Sequence, residues 1–213
     1  MQTIQTQFIE FLIQHGALKF GQFTLKSGRI SPYFFNLGVF HTGGALAKLG
    51  EFYAQILLDS GFNYDILFGP AYKGIPLVAT TCIALAEKFN RDVAYCFNRK
   101  EKKEYGDAGN FVGAELSGQV VMLDDVITAG TTVRETISLF ANTSATLSGI
   151  VIAFDRQERG EGKHSAVQET VQKYRVPVQS IITLSDVVRY LSAPKAFHKE
   201  LRAIEEYRVK FGA

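Results

Sequence analysis

The sequence predicts an α/β fold, a doubly wound and mainly parallel sheet with helices on both faces, and two observations support this class. Beyond residue 64, short and almost uninterrupted apolar runs alternate with segments of helical periodicity, and such runs are typical of parallel strands buried on both faces. A length of 213 residues, with 46% hydrophobic and 21% charged content, allows a substantial core. No repeat and no linker rich in Pro, Gly or Ser divides the chain. We therefore expect one domain, residues 1–213.

The predicted elements follow in chain order. Apolar residues between positions 4 and 12 recur at helical spacing, and Gly16 suits the end of this helix. Residues 44–60 form a second amphipathic pattern. The strand-like runs are 65–68, 92–97, 120–123, 149–154 and 178–184, and further helical patterns cover 75–89 and 131–140.

Composition argues against several classes of partner. A formal net charge of +2 is too small for nucleic acid or an anionic membrane, since binding to these usually needs a dense excess of Lys and Arg. The first residues lack a secretory signal pattern, and no apolar run approaches the roughly 20 residues of a membrane-spanning helix. Cys82 and Cys96 have no spacing for zinc or a disulfide framework, so we expect small core residues in a reducing compartment. These observations predict a cytoplasmic protein.

Two segments depart from the alternation of strands and helices. Residues 20–41 are rich in aromatic side chains, whereas residues 98–117 are polar and contain Arg99, Lys100, Lys102 and Lys103 among acids and glycines. A connection of that length without apolar periodicity is uncommon in a compact domain and is usually functional or disordered. The second segment is therefore predicted to be a mobile lid over an active site.

The run Val120–Thr132, VVMLDDVITAGTT, carries the most specific chemical pattern. It predicts a buried strand that ends at Asp124 and Asp125, and ligands of open parallel sheets bind beyond the carboxyl ends of strands. The turn and helix start at residues 128–132 offer backbone N–H groups and hydroxyls to a phosphate monoester. Carboxylates accept hydrogen bonds from vicinal sugar hydroxyls and can act on Mg²⁺ from its second shell. The run predicts a ribose phosphate site, although either half alone also occurs as an ordinary turn or helix cap.

This run resembles the signature with which type I phosphoribosyltransferases bind phosphoribosyl pyrophosphate (PRPP). A resemblance to the orotate phosphoribosyltransferases extends over nearly the whole chain, through LKSGR at 25–29, SPYFF at 31–35, GPAYKG at 69–74 and FNRK at 97–100. It implies a Mg²⁺-dependent transfer of the phosphoribosyl group from PRPP to orotate in pyrimidine biosynthesis. It also implies a base-binding hood formed by residues 1–41 with C-terminal segments, and a homodimer with shared active sites.

The resemblance assigns PRPP contacts to three residues outside the signature. Lys26 is one, and in the loop 69–74 the backbone around Tyr72 and the ammonium group of Lys73 are expected to contact the diphosphate. Within the signature, the implied substrate-binding residues are Asp124, Asp125, Val126, Ile127, Thr128, Ala129, Gly130, Thr131 and Thr132. The same two acids are expected in the second shell of a Mg²⁺ ion that PRPP itself mainly holds. Taken alone, Lys26 or Lys73 could be a solvated surface charge.

The resemblance also assigns the orotate contacts. Phe34 and Phe35 match aromatic residues that lie against the pyrimidine, and a flat, electron-poor ring gains from such stacking. Core packing is the alternative for both. Arg156 follows a predicted strand and matches a residue that binds orotate, and the planar guanidinium suits the carboxylate that separates orotate from uracil.

In the predicted lid, Arg99, Lys100 and Lys103 match residues that close over the pyrophosphate, partly from the partner subunit. Tyr105 stands where the family usually has a histidine, and Ala108 replaces a common glycine. A phenol can donate a hydrogen bond to a phosphate oxygen but carries no positive charge. The implied catalytic residues are Arg99, Lys100, Lys103, Asp124 and Asp125, and Tyr105 is assigned to substrate binding.

Three alternatives remain open from the sequence. The ribose phosphate signature does not identify the acceptor, so the base could differ. A PRPP-sensing regulator would keep the signature without needing a lid or an aromatic platform, although the Arg99–Lys103 cluster argues against it. The third alternative is a doubly wound protein with an accidental capping motif.

Overall fold

The computed structural model describes residues 2–25, 28–103, 109–160, 162–193 and 197–213, without the side chains of residues 102, 103 and 109. Within these residues the helices are α1 (Ile4–Gln14), α2 (Gly43–Asp59), α3 (Gly74–Phe89), α4 (Thr131–Phe140), α5 (Ala166–Tyr174), α6 (Leu184–Ser192) and α7 (His198–Phe211). The strands are β1 (Leu18–Thr24), β2 (Ile30–Phe35), β3 (Ile66–Gly69), β4 (Ala94–Lys103), β5 (Gly109–Gly113), β6 (Ser117–Asp124), β7 (Ser144–Asp155) and β8 (Val178–Thr183).

The central sheet has six strands in the order β5-β4-β3-β6-β7-β8. All neighbouring pairs are parallel except β4 and β5, which pair antiparallel at one edge. The predicted parallel strands are therefore confirmed. Because β3 and β7 both lie beside β6, the carboxyl ends of these three strands meet at one edge of the sheet, where the loops after them can form a common site.

Alternate residues of the central strands pack into two apolar layers. Leu67, Val121 and Val151 belong to the layer that also contains buried residues of α2, α3 and α6. Phe68 and Met122 face the opposite layer, which contains buried residues of α4. Helices thus cover both faces of the sheet, so the predicted doubly wound architecture is confirmed.

The aromatic N-terminal segment forms a separate antiparallel hairpin of β1 and β2. Tyr33 and Phe35 share one face of β2 and pack on Phe154 of β7, with ring centroids 5.8 and 5.2 Å apart. Tyr207 of α7 contacts Tyr33 edge-on at 6.1 Å. The hairpin and the C-terminal helix therefore pack together at the carboxyl end of β7, and their role as a base-binding hood stays a prediction.

The polar stretch 98–117 is more regular than its composition predicted. Its first residues extend β4 to Lys103, and β5 pairs back antiparallel, with Phe97 opposite Val112 and Asn98 opposite Phe111. β5 has only five residues and two apolar side chains, Phe111 and Val112, among Gly and Asn, which explains why the sequence shows no clear strand pattern there. The expectation of a connection without secondary structure over 98–117 is therefore corrected, and residues 104–108 lie outside the described residues.

Both cysteines are buried and unpaired, as expected for core residues. Burial raises the pKa of the Cys82 thiol to about 12 and that of Cys96 to about 11, so neither is a reactive thiolate at neutral pH. No helix in the described part of the chain combines the length and apolarity needed to cross a membrane.

Candidate active site

The turn after β6 holds two acids in fixed positions. Asp124 and Asp125 are each only 7% exposed. The Asp125 N–H donates to Asp124 Oδ1 at 2.8 Å, and the Val126 N–H donates to Asp125 Oδ1 at 2.9 Å. The Tyr53 hydroxyl donates to the Asp124 carbonyl oxygen at 2.7 Å. Since each carboxylate is held by the next backbone N–H, both acids stay at the end of the strand.

The N-terminus of α4 has an arrangement that leaves its first N–H groups available to an anion. Its N-cap is Gly130 in the left-handed region, at φ 65°, and in the described residues no side chain caps it. Helices α5 and α6, in contrast, begin with complete capping boxes at Ser165 and Thr183. Thr128 and Thr131 beside this terminus are exposed. Uncapped N–H groups and the helix dipole favour a phosphate at this position.

Burial dominates the electrostatics of the acid pair. It raises the pKa of Asp124 to about 7, with a further contribution from the negative charge of Asp125, while the Asp125 N–H and Lys73 oppose the shift. Lys73 Nζ lies 2.6 Å from Asp125 Oδ2. The lysine therefore compensates Asp125, whereas Asp124 can retain a proton close to neutral pH.

The loop after β3 brings Lys73 to the acids. The Ala71–Tyr72 peptide bond is cis, and the Ala71 N–H donates to Asn98 Oδ1 of β4 at 2.8 Å. A Cβ at Gly69 would collide with the Gly74 carbonyl oxygen, so the loop needs glycine there to close on itself. Tyr72 is 71% exposed. The predicted diphosphate loop thus lies beside the predicted ribose acids, and sequence reasoning did not assign the anchoring role of Asn98.

Arg156 follows β7 and is held by Glu158, two residues further along the chain, and by Tyr33 of the distant hairpin. Its Nε and Nη2 donate to Glu158 Oε1 at 3.0 and 2.7 Å, and its Cζ lies 4.9 Å from the Tyr33 ring centroid. Burial by itself lowers the pKa of Arg156, but Tyr33 and Glu158 outweigh it and raise the pKa above its ordinary value. The guanidinium is therefore charged and oriented. Sequence reasoning missed Glu158, because its link to Tyr33 spans 125 positions.

The two predicted stacking residues differ in their surroundings. Phe34 is 39% exposed and contacts Phe23, with ring centroids 5.4 Å apart. Phe35 is half-buried and packs on Phe154. Phe34 can offer part of its ring to a ligand, whereas Phe35 contributes to packing between the hairpin and the sheet.

A cavity of about 720 Å³ joins several of these elements. Thr128, Ala129 and Gly130 line one wall, Arg156 lines another, and Arg29 belongs to the segment between β1 and β2. This volume falls in the usual range for small-molecule sites. The acid pair and Lys73 are not among its lining residues. Residues of the predicted phosphate turn (124–132) and Arg156 thus line one cavity. The predicted diphosphate loop (69–74) adjoins this turn through the contact between Lys73 and Asp125.

Only some of the predicted lid residues lie within the described part of the chain. Arg99 is half-buried in β4, and Lys100 Nζ lies 3.9 Å from Glu135 Oε2, which connects β4 to α4. The side chain of Lys103 lies outside the described residues, as do Lys26 and Tyr105. Their assigned contacts stay predictions.

Comparisons with known proteins agree with one another. Residues 39–182 match the family model described as the phosphoribosyl transferase domain. The chain is 56% identical over 212 residues to an orotate phosphoribosyltransferase of Alteromonas mediterranea and 54% identical to one of Pseudomonas aeruginosa, and each alignment covers 100% of both chains. A crystal structure of orotate phosphoribosyltransferase from Francisella tularensis superimposes with a TM-score of 0.89 at 43% identity, covering 97% of this chain and 100% of that one.

Proposed function

The chain belongs to the phosphoribosyltransferase family, and on this premise we propose that it transfers the 5-phosphoribosyl group of PRPP to orotate, giving orotidine 5′-phosphate and pyrophosphate. This is the activity named for its relatives at 56% and 54% identity. Its place in metabolism would be pyrimidine biosynthesis. We further propose that residues 1–213 form one domain.

The turn of residues 124–132 carries this proposal. It combines two buried carboxylates, Asp124 and Asp125, with the N-terminus of α4 at Gly130, which no side chain among the described residues caps. Carboxylates are acceptors for the 2′- and 3′-hydroxyls of ribose, whereas the helix N-terminus suits the 5′-phosphate. A ribose 5-phosphate group needs both kinds of contact at once, and an ordinary helix cap needs neither buried acid.

The reaction we propose is displacement at the anomeric carbon. The orotate nitrogen forms a bond to this carbon while the bond to the pyrophosphate oxygen breaks, through a sugar that resembles an oxocarbenium ion. The protein lowers the barrier by holding the reactants in line and by stabilising charge on the leaving pyrophosphate. Lys73 beside Asp125 is placed for the second task, and Arg99, Lys100 and Lys103 are proposed to join it from the lid.

Arg156 and the hairpin aromatics are proposed to select the base. A buried guanidinium that is already oriented favours a carboxylate, which orotate has and uracil lacks. Phe34 and Phe35 would contact the ring, and Lys26 and Tyr105 would bind PRPP. These assignments rest on the family resemblance and, for Arg156, on its position at the cavity wall.

Mg²⁺ is proposed as the cofactor, and the donor set fits a weakly held ion. Among the described residues, no group of three or more His, Cys, Asp or Glu side chains is arranged to hold a metal, while Asp124 and Asp125 form a buried carboxylate pair. Mg²⁺ commonly keeps several waters and binds through one or two carboxylates together with substrate phosphates. When bound with PRPP, it would neutralise charge on the diphosphate.

The assembly and location are further parts of the proposal. By resemblance, the chain forms a homodimer in which the lid of one subunit completes the site of the other. A cytoplasmic enzyme without nucleic acid or membrane partners agrees with the small net charge of +2.

An assay of orotate consumption with PRPP and Mg²⁺ tests the function. We expect loss of orotate and release of pyrophosphate, with no comparable reaction of uracil, hypoxanthine or adenine. Turnover of one of these bases in preference to orotate would identify a different phosphoribosyltransferase. Binding of PRPP without turnover of any base would indicate a PRPP-sensing regulator.

A further inference from the structure

Glu158 lies where the loop after β7 meets the hairpin β1–β2. A single oxygen, Oε1, accepts hydrogen bonds from the Tyr33 hydroxyl at 2.6 Å and from Arg156 Nε and Nη2 at 3.0 and 2.7 Å. The side chains of Arg156 and Glu158 are only 15% and 14% exposed, and Tyr33 is 1% exposed. Charge-assisted bonds at such distances in a buried site are strong and directional. Glu158 therefore holds Arg156 and the hairpin in one arrangement.

The loop backbone is anchored by other contacts. Gln157 Oε1 accepts from the Ser185 N–H at 2.9 Å and from the Ser185 hydroxyl at 2.7 Å, and the Gln157 carbonyl oxygen accepts from the Ala213 N–H at 2.9 Å. The Arg159 N–H donates to the Phe211 carbonyl oxygen at 2.8 Å. Because these bonds fix the loop without the Glu158 carboxylate, that carboxylate acts mainly on the guanidinium and the Tyr33 hydroxyl.

The hydrogen bonds to Glu158 use one side of the guanidinium. Nε and Nη2 face the carboxylate, and within the described residues Nη1 makes no hydrogen bond. A guanidinium held through one edge can still present a nitrogen to a second carboxylate. Arg156 also lines the cavity that contains the phosphate turn. Nη1 thus remains available to a ligand, on a guanidinium whose orientation Glu158 and Tyr33 hold.

The hairpin carries the ring-binding residue next to Tyr33. Successive residues of a strand point to opposite faces, so Tyr33 packs inward on Phe154 while Phe34 is 39% exposed. Any displacement of β2 moves both side chains. Resting on the proposed function, we propose that Glu158 is a positioning residue: by joining Arg156 to Tyr33, it sets the distance between the group that recognises the orotate carboxylate and the aromatic residue that contacts the ring.

Binding of two nucleotides to the full-length chain tests this role. Orotidine 5′-phosphate and uridine 5′-phosphate differ only in the carboxylate, so the ratio of their dissociation constants reports its recognition. Glu158→Asp keeps the charge but shortens the side chain by one methylene. We expect it to weaken orotidine 5′-phosphate binding about tenfold and to leave uridine 5′-phosphate within about twofold, as for loss of one oriented charged hydrogen bond.

Tyr33→Phe is the milder variant, since it removes one hydroxyl and keeps the ring. We expect orotidine 5′-phosphate binding to weaken about threefold, and in the Arg156→Ala background we expect no further loss, because two changes on one path are not additive. Tyr64→Phe is the matched control: this residue precedes β3, at the amino ends of the parallel strands and away from the site at their carboxyl ends, and removal of its hydroxyl should leave the ratio unchanged.

The outcomes separate this role from general structural support. Equal weakening of both nucleotides, or a Tyr33→Phe effect that persists without Arg156, would show that Glu158 only stabilises the fold and would overturn the inference. If the wild-type chain itself does not prefer orotidine 5′-phosphate, the proposed function fails and the inference fails with it. A wild-type preference that Glu158→Asp leaves intact would contradict the positioning role alone.

Discussion

The carboxyl ends of β6 and β7 lie side by side in the sheet but are organised by different kinds of contact. At the end of β6, Asp124 and Asp125 are held by the N–H groups of the residues that follow them. At the end of β7, Arg156 is held by Glu158 and Tyr33, and the Tyr33–Glu158 bond joins residues 125 positions apart. The carboxylates of the predicted phosphate turn are therefore held by local backbone donors, with Tyr53 and Lys73 as additional distant contacts, whereas the end of β7, proposed to recognise the base, depends on the packing of the hairpin.

This difference predicts separate consequences for mutations at the two ends. A local turn keeps its geometry when distant contacts are lost, so changes at the β6 end should act on PRPP and on the acid pair. Changes at the β7 end should act on the base and leave PRPP binding nearly intact. Additivity of distant, independent sites gives the reference for such tests.

The largest effect is expected from Lys103, which lies at neither the β6 end nor the β7 end. Lys103→Ala removes a cation assigned to the pyrophosphate, and we expect a loss of about 3 kcal/mol of transition-state stabilisation, similar to removal of an oxyanion donor. Steady-state kinetics of orotate consumption measures it as kcat/KM. Lys163→Ala, at an exposed position after β7, is the control. Near-normal turnover of Lys103→Ala would mean that the two strand ends suffice without the lid.

Arg156→Ala is expected to have the next largest effect and separates the two ends directly. Loss of a charged contact to the orotate carboxylate should cost about 2 kcal/mol of transition-state stabilisation, measured as the fall in kcat/KM for orotate. The KM for PRPP should change less than about twofold. Arg202→Ala is the matched control, because Arg202 is an exposed arginine of α7 that donates to Glu206 and does not line the cavity. A parallel loss for both substrates would show that the β7 end also supports the phosphate turn.

A smaller effect is expected in the pH dependence of stability at the β6 end. The pKa of Asp124 is raised to about 7 in the folded chain, whereas an unfolded Asp has a pKa of about 3.9. The unfolded chain therefore releases this proton first, and stability falls as pH rises from about 4 to about 7 and then levels off. Asp124→Asn should abolish this loss and be about 1 kcal/mol more stable than the wild type at pH 8.

Urea unfolding of the wild type and Asp124→Asn at pH 5 and pH 8 measures that difference. Asp59→Asn is a suitable control, since Asp59 is an exposed acid at the end of α2 that accepts only from Gln55 in the described residues. A wild type that gains stability relative to Asp124→Asn between pH 5 and pH 8 would contradict the assigned direction of the pKa shift.

The smallest effect is expected at the contact between β4 and α4. Lys100 and Glu135 are 3.9 Å apart, with side chains 45% and 56% exposed. Exposed pairs of this kind contribute little, so Glu135→Gln should change the free energy of unfolding by less than about 0.5 kcal/mol. Thermal or urea unfolding measures it. A loss above about 1 kcal/mol would mean that this contact joins β4 to α4 more strongly than an exposed ion pair does.

The same contrast explains what the sequence could predict. The β6 run, its acids and the helix after it are contiguous, so their pattern was readable from local composition alone. Asn98 was missed because its partner Ala71 lies 27 positions away, and Glu158 because its bond to Tyr33 spans 125 positions, and a single sequence carries no signal for such pairs. Edge pairing of β4 with β5 was missed because β5 is only five residues long and has two apolar residues, Phe111 and Val112, among Gly and Asn. Helix α7 was missed as well, since only Ile204 and Tyr207 of its residues are buried.

A crystal structure with ribose 5-phosphate tests most directly whether residues 124–132 form the site. We expect the phosphate oxygens within hydrogen-bond distance of the backbone N–H groups at the start of α4, and the two ring hydroxyls at the carboxylates of Asp124 and Asp125. A sugar phosphate found in another cleft, with this turn unoccupied at saturating ligand, would contradict the proposed function at its foundation.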